Sequence, residues 1–473
     1  MTGNPATSLR AALDTVRAAD RAEHAGRVPA DGIVAHFAGH YAGIPANSVA
    51  REEKVVTYRA DGSAMPVLLG AYGSERRVRS WLPGLPARIC ATTVAGLLAA
   101  ARPAHRVHGA ACQRRVWSEV DVQALPALRA TPRDAGRYLT MGVVYARDPS
   151  TGATALSTHR MLLLGPDRLA IWMLPSRRLR ALHERAVGAG ERLPVSVNIG
   201  APPAAVVAAA LTTDLLVPPA DKLALAGGLA RESIALADAV SQDTDVLAES
   251  EIVLEGQLDD QVTVESLDGP PDVSMPEFLG YDGDARDELP VLTVTAVTTR
   301  PDPSYQAVIG PGREQSVILG LAGAVSVAMS DDPDLGVVHD VHLSPAGGGM
   351  LTLFLAVRKR SVRDDERLAP LARRIFDRHP FVKLIVCVDD DVEVRCAEDV
   401  WWAVTTRSNL GAAVTFTGYR PLAMDPSQTA AWAGARGLRA GDGERTLIDA
   451  TVPFELREAA RRSFAPSAEG AVR

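Results

Sequence analysis

The strongest folding constraint lies in the middle of the chain, where three short strand-like runs follow one another with only turns between them. YLTMGVVYARD, TALSTHRMLLLG and RLAIWMLP are separated by DPSTG and GPD. Short runs rich in branched residues and bounded by Gly, Pro and Asp read as strands. A helix, SRRLRALHERAVGAG, comes next, then a strand, LPVSVNIG, a helix, PAAVVAAALTT, and two more strands, EIVLEGQL and LPVLTVTAVTTR. Many strands with few helices point to an α+β middle domain that could close as a small barrel.

The flanks have a different texture. SLRAALDTVRAADRAEHAGR reads as an amphipathic helix capped by Ser8, with Leu9, Leu13 and Val16 at helical spacing. Between about Ile33 and Ala100, apolar stretches alternate with Gly/Pro turns, and ATTVAGLLAAARP reads as a helix ended by Pro103. After Gly310 helix and strand alternate: SVILGLAGAVSVAM, MLTLFLAVRK, DERLAPLARRIFDRH, KLIVCVDDDVEV and AEDVWWAVTTR. One more helix is expected around 453–463. The expected division is an N-terminal α/β domain over 1–106, a middle domain over 107–309 and a C-terminal α/β domain with tail over 310–473.

Bulk properties exclude several classes. A chain of 473 residues, 47% apolar and 23% charged, can bury real cores. Its 50 basic and 57 acidic residues give −7, with no basic stripe for nucleic acid. Cys90, Cys112, Cys387 and Cys396 form no CxxC pair, which argues against a zinc ribbon or a disulfide framework. No apolar run reaches the roughly 18–20 residues that cross a bilayer. MTGNPATSLR lacks the apolar segment of a signal peptide, so the expected setting is cytoplasmic.

Three segments together resemble the UbiD family of decarboxylases. They are Thr154–Arg177, then Leu193–Leu211 running on to LALAGGLARESIALADAV and AESEIVLEGQL, then Lys383–Arg407. They stand in the family's order over about 300 residues of this chain. The resemblance implies a middle split-barrel domain like that of flavin reductases, flanked by two α/β domains. It also implies prenylated FMN as cofactor, bound between the middle and C-terminal domains, with a flavin prenyltransferase supplying it and a homodimer or larger assembly. The expected reaction is non-oxidative decarboxylation of an α,β-unsaturated acid. Removing CO2 from an sp2 carbon strands electrons that no side chain can delocalise, so a cofactor must serve as the sink.

The resemblance also assigns site residues. Arg160 matches the arginine that ends the family's cofactor-binding strand, and a guanidinium suits a carboxylate or flavin oxygens. Glu277, in PEFLGY, matches the family's acidic proton donor, with Phe278 and Leu279 expected as its apolar wall. Asp272 stands where the family carries a second glutamate, and Glu265 is the fallback for that place. Ser157, Thr158 and His159 precede Arg160 and are expected to meet the cofactor, as is Arg378 in the C-terminal domain.

The family's manganese ligands are an Asn, a His and a Glu; the matching positions here hold Ala155, Arg177 or Arg178, and Lys222. Hard cations want oxygen ligands, so the expectation is no metal, with Lys222 and Arg177 or Arg178 neutralising the cofactor phosphate directly. In another register, Asp221 would still be a ligand. Aromatics make up only 5% of the chain, which favours an aliphatic enoic or dienoic acid and a polyketide-tailoring enzyme of the tautomycetin type. Two other readings fit the same resemblance: a flavin-binding subunit or cofactor carrier without lyase activity, and a flavin oxidoreductase.

Overall fold

A computed structural model describes residues 3–41, 53–212, 221–277, 280–310, 312–422, 425–437 and 443–463. It divides into two compact units, Met1–Leu85 with Leu97–Ile318, and Pro86–Gly96 with Leu319–Arg473. The N-terminal region and the middle strands thus share one unit, and a short stretch before residue 97 joins the C-terminal unit.

The first unit is built on a closed barrel. Its strands are β1 (Tyr138–Arg147), β2 (Thr154–Leu163), β3 (Arg168–Ile171), β4 (Leu193–Ile199), β5 (Ile252–Thr263) and β6 (Leu289–Thr299). Around the ring they run β5-β4-β1-β2-β3-β6, and β5 pairs again with β6 to close it. Every neighbouring pair is antiparallel, as the DPSTG and GPD turns require. Closure removes the exposed edges of the sheet. The main apolar core takes Ala155, Met161 and Leu163 from β2 and Val195, Val197 and Ile199 from β4. Helix α1 (Arg178–Gly188) crosses from β3 to β4, and helix α2 (Lys222–Ala230) precedes β5.

The N-terminal region departs from the sequence reading. The helix covers only Leu9–Asp14, and Ser8 makes no side-chain cap. Arg21–Val28 is instead a strand, parallel to Val55–Ala60. Helical spacing of the apolar residues ends at Val16, so beyond it sheet pairing outweighs a weak local preference.

The second unit is a five-stranded sheet. Val338–Leu343 and Val414–Tyr419 are its antiparallel edges, around the parallel strands Thr352–Val357, Leu384–Asp389 and Gly443–Ala450. Helices Arg363–Arg378 and Ala397–Arg407 connect them. In the acidic turn, Asp389 and Asp391 both bond Arg407, at 2.8 and 2.7 Å. The helix expected near 453–463 is a single 3-10 turn, Phe454–Leu456. Among the described residues no helix is long and apolar enough to cross a membrane.

Candidate active site

Strand periodicity sorts the residues expected on β2. Successive side chains leave a strand on opposite faces. Ser157 and His159 therefore share the face of Ala155 and Met161, while Thr158 and Arg160 share the other with Leu162. Leu162 belongs to a second apolar patch with Ala135, Tyr138, Ala170, Met275 and Leu289, against which Trp172 packs. Arg160 is thus held on the outer wall of the barrel, under apolar cover.

There it meets two acids from distant segments. Arg160 Nη1 donates to Glu277 Oε1 at 2.5 Å. Arg160 Nη2 lies 3.2 Å from Glu265 Oε1 and 3.3 Å from Oε2, and donates to Ser274 Oγ at 3.2 Å. The Tyr138 hydroxyl donates to Glu265 Oε1 at 3.0 Å. Side-chain exposure is 13% for Arg160, 14% for Glu277 and 1% for Glu265.

Backbone structure sets each acid in place. Glu265 follows β5, and its N–H donates to Arg286 O at 2.8 Å. Glu277 closes a two-stranded ribbon, Val273–Pro276 with Asp282–Asp284. Its N–H donates to Tyr281 O and its carbonyl accepts from Gly280 N–H, both at 2.8 Å. Gly280 has φ +87, a conformation that glycine adopts without steric cost. Gly283 lies against the acid: a Cβ there would sit 2.7 Å from both Glu277 Cγ and Ser274 Oγ.

Burial pushes the Glu265 carboxyl above its usual range, against the opposing pull of Arg160 and the Tyr138 hydroxyl. Burial also works against the charge of Arg160, but Glu277 and Glu265 outweigh it and raise its pKa.

The second acid is a correction. Asp272 is exposed, and its carbonyl accepts from Ala285 N–H on the outer side of the ribbon. It is not among the partners of Arg160, and Glu265 stands in that place. Five residues separate Asp272 from Glu277, which suits a family spacing, but the ribbon turns Asp272 outward. Ser274 and Tyr138 join the cluster without any local sequence signal, because each meets its partner only through the folding of distant segments together. Phe278 and Leu279 lie outside the described residues.

On the other face, Ser157 Oγ and His159 Nε2 are 2.7 Å apart, and His159 Nδ1 is 2.8 Å from Trp172 O. A carbonyl only accepts, so Nδ1 carries the hydrogen and Nε2 accepts from Ser157. Burial pulls His159 down to about 4, and the positive charges of Arg177 and Lys222 act the same way. These two cations therefore lie within electrostatic reach of His159, and Arg178 is exposed. Lys222 opens α2 and is buried, with Nζ donating to Ala209 O at 2.8 Å. Asp221 caps the same helix, accepting from Ala224 N–H at 2.6 Å. In the second unit, Arg378 bonds Ser330 Oγ and pairs with Asp331 at 3.3 Å.

Residues 105–314 match the family model described as the 3-octaprenyl-4-hydroxybenzoate carboxy-lyase Rift-related domain, and 321–450 match the C-terminal domain of that carboxy-lyase. The chain belongs to the UbiD family. It is 31% identical to the gallate decarboxylase of Lactiplantibacillus plantarum over 70% of this chain and 69% of that one. It is 30% identical to the anhydromevalonate phosphate decarboxylase of Methanothermobacter thermautotrophicus over 72% and 75%. Among solved structures, apo 3,4-dihydroxybenzoic acid decarboxylase of Klebsiella pneumoniae superposes with a TM-score of 0.87, at 28% identity and 97% of each chain. An evolved dimeric form of the UbiD-class enzyme HmfF from Pelotomaculum thermopropionicum, in complex with prFMN, gives 0.79, at 27% identity and 98% of each chain.

UbiD membership makes prenylated FMN the cofactor that these residues must accommodate. Arg160 Nε is buried and has no hydrogen-bond partner among the described residues, so the guanidinium keeps a donor for a bound acceptor. Arg177 and Lys222 bring positive charge of the kind a phosphate needs. Both observations fit the flavin. The three metal-ligand positions do not fit a hard cation: Ala155 lies in the apolar core, and the other two carry positive charge. Among the described residues no group of three His, Cys, Asp or Glu side chains is placed to hold a metal ion.

Proposed function

We propose that this protein decarboxylates an α,β-unsaturated acid with prenylated FMN, Arg160 orienting the carboxylate and Glu277 returning the proton. The observation that carries this reading is the buried convergence of Arg160 on Glu277 and Glu265. When bound, the modified flavin supplies the electron sink.

The side chains do the rest. The bond to the carboxyl carbon breaks, CO2 leaves without the bonding pair, and a proton from Glu277 goes to the carbon left behind. Glu277 is the more exposed of the two acids, so it is the one able to recover its proton from solvent. Glu265, almost fully buried, holds Arg160 in place. Thr158 shares the outer face of Arg160, Arg177 and Lys222 neutralise the cofactor phosphate, and Ser157 and His159 brace the strand behind.

The substrate is an aliphatic enoic or dienoic acid, consistent with the low aromatic content. A flavin prenyltransferase supplies the cofactor, the protein works in the cytoplasm, and it assembles as a homodimer, a reading supported by the evolved dimeric form of HmfF. The test is co-expression with such a prenyltransferase, followed by CO2-release assays on enoic, dienoic and aromatic acids. Release from at least one is expected. Holoprotein with full cofactor occupancy that releases none would refute the reading.

A further inference from the structure

Arg160 has little left with which to hold a substrate. One terminal nitrogen is taken by Glu277, the other by Glu265 and Ser274. Its single positive charge is already shared between two acids. An anionic acid entering such a place gains little net attraction unless a second cation lies beside it.

Arg286 lies there. Its Cζ sits 4.8 Å from the centre of the Trp172 ring. Trp172 is the cross-strand neighbour of Arg160: its N–H faces Arg160 O at 3.5 Å. The pairing of Leu162 with Ala170 on the same two strands puts both side chains on the outer face. From the other direction, Arg286 O accepts the N–H of Glu265 at 2.8 Å. The arginine is therefore tied to both sides of the cluster, through its ring partner and through its own backbone.

Its head group is uncommitted. Among the described residues no carboxylate pairs with Arg286, and its buried Nε has no hydrogen-bond partner. A guanidinium stacked on an aromatic face keeps its in-plane donors for a planar, bidentate acceptor. We propose that Arg286, docked on Trp172, is a substrate-binding residue that clasps the carboxylate of the acid opposite Arg160. This rests on the decarboxylase reading and adds to it the residue that selects a charged acid over its neutral analogues.

The test compares wild-type holoenzyme with Arg286→Met, which keeps length and apolar contact with Trp172 but loses charge and fork. The probes are the best-turned-over acid of the panel and its primary amide as competitive inhibitor. The variant should raise KM for the acid about tenfold or more, with a smaller change in kcat and in amide inhibition, at unchanged flavin occupancy. Unchanged KM, or acid and amide weakened equally, would overturn the proposal in favour of mere packing on Trp172. If Arg286→Met does not fold, Arg286→Lys is read instead: an intermediate KM supports the clasp and a wild-type KM overturns it. Wild-type enzyme inactive on the whole panel sinks the decarboxylase reading and the clasp with it; an active wild type beside an unaffected variant sinks the clasp alone.

Discussion

Arg160 and Glu277 touch at 2.5 Å although 117 residues separate them along the chain. Glu277→Gln keeps the size of the side chain and removes the acid. A positioned general acid contributes roughly 10²–10⁴-fold, so CO2 release by the variant should fall by about two orders of magnitude or more, with flavin occupancy retained. Arg160→Met should abolish turnover and also destabilise the fold. It leaves Glu265 buried without its cation, and losing one partner of a buried pair costs about 3–5 kcal/mol. Denaturant unfolding of the two variants separates the chemical loss from the structural one.

Gly283→Ala tests whether the ribbon positions the acid. The added Cβ would press on Glu277 Cγ and Ser274 Oγ at 2.7 Å. Overpacking of this kind costs about 1–3 kcal/mol. Activity should drop at least tenfold while the unfolding midpoint moves only modestly; an active Gly283→Ala enzyme would show that Glu277 need not stay against the ribbon.

His159 gives the stability of the first unit a pH dependence with a defined sign. Its pKa is held near 4 in the folded protein, below the usual value of roughly 6.5 for an unfolded chain. As pH falls through that window the unfolded state gains a proton that the folded state refuses, so stability is full above the window and lost within it. The loss attributable to His159 reaches about 3 kcal/mol at its lower end. Unfolding midpoints from pH 7 to 4.5 should fall more steeply for wild type than for His159→Asn.

Lys222 is expected to do by charge what the family resemblance assigns to a metal ion. Lys222→Met should lose prenylated FMN on gel filtration, read as flavin absorbance per protein, whereas treating wild type with a chelator should leave both occupancy and turnover intact. Elemental analysis that finds one manganese per flavin in purified holoprotein would overturn this direct neutralisation.

Local patterning alone determined much of this. The DPSTG and GPD turns on either side mark Thr154–Leu163 as a strand, and the place of Arg160 within it is readable without coordinates. The acids are a different matter. Spacing points to Asp272 and leaves Glu265 as the fallback, because the path of residues 264–272 decides which carboxylate turns inward, and that path is held by backbone bonds to distant residues, Glu265 N–H to Arg286 O and Leu267 N–H to Ala135 O among them. The strand Arg21–Val28 likewise exists only because Val55–Ala60 pairs with it. Periodicity is a property of neighbours in sequence, so sequence carries it. Which distant groups share a buried charge is a property of chain closure, and only the folded barrel brings Arg160, Glu265, Glu277 and Arg286 together.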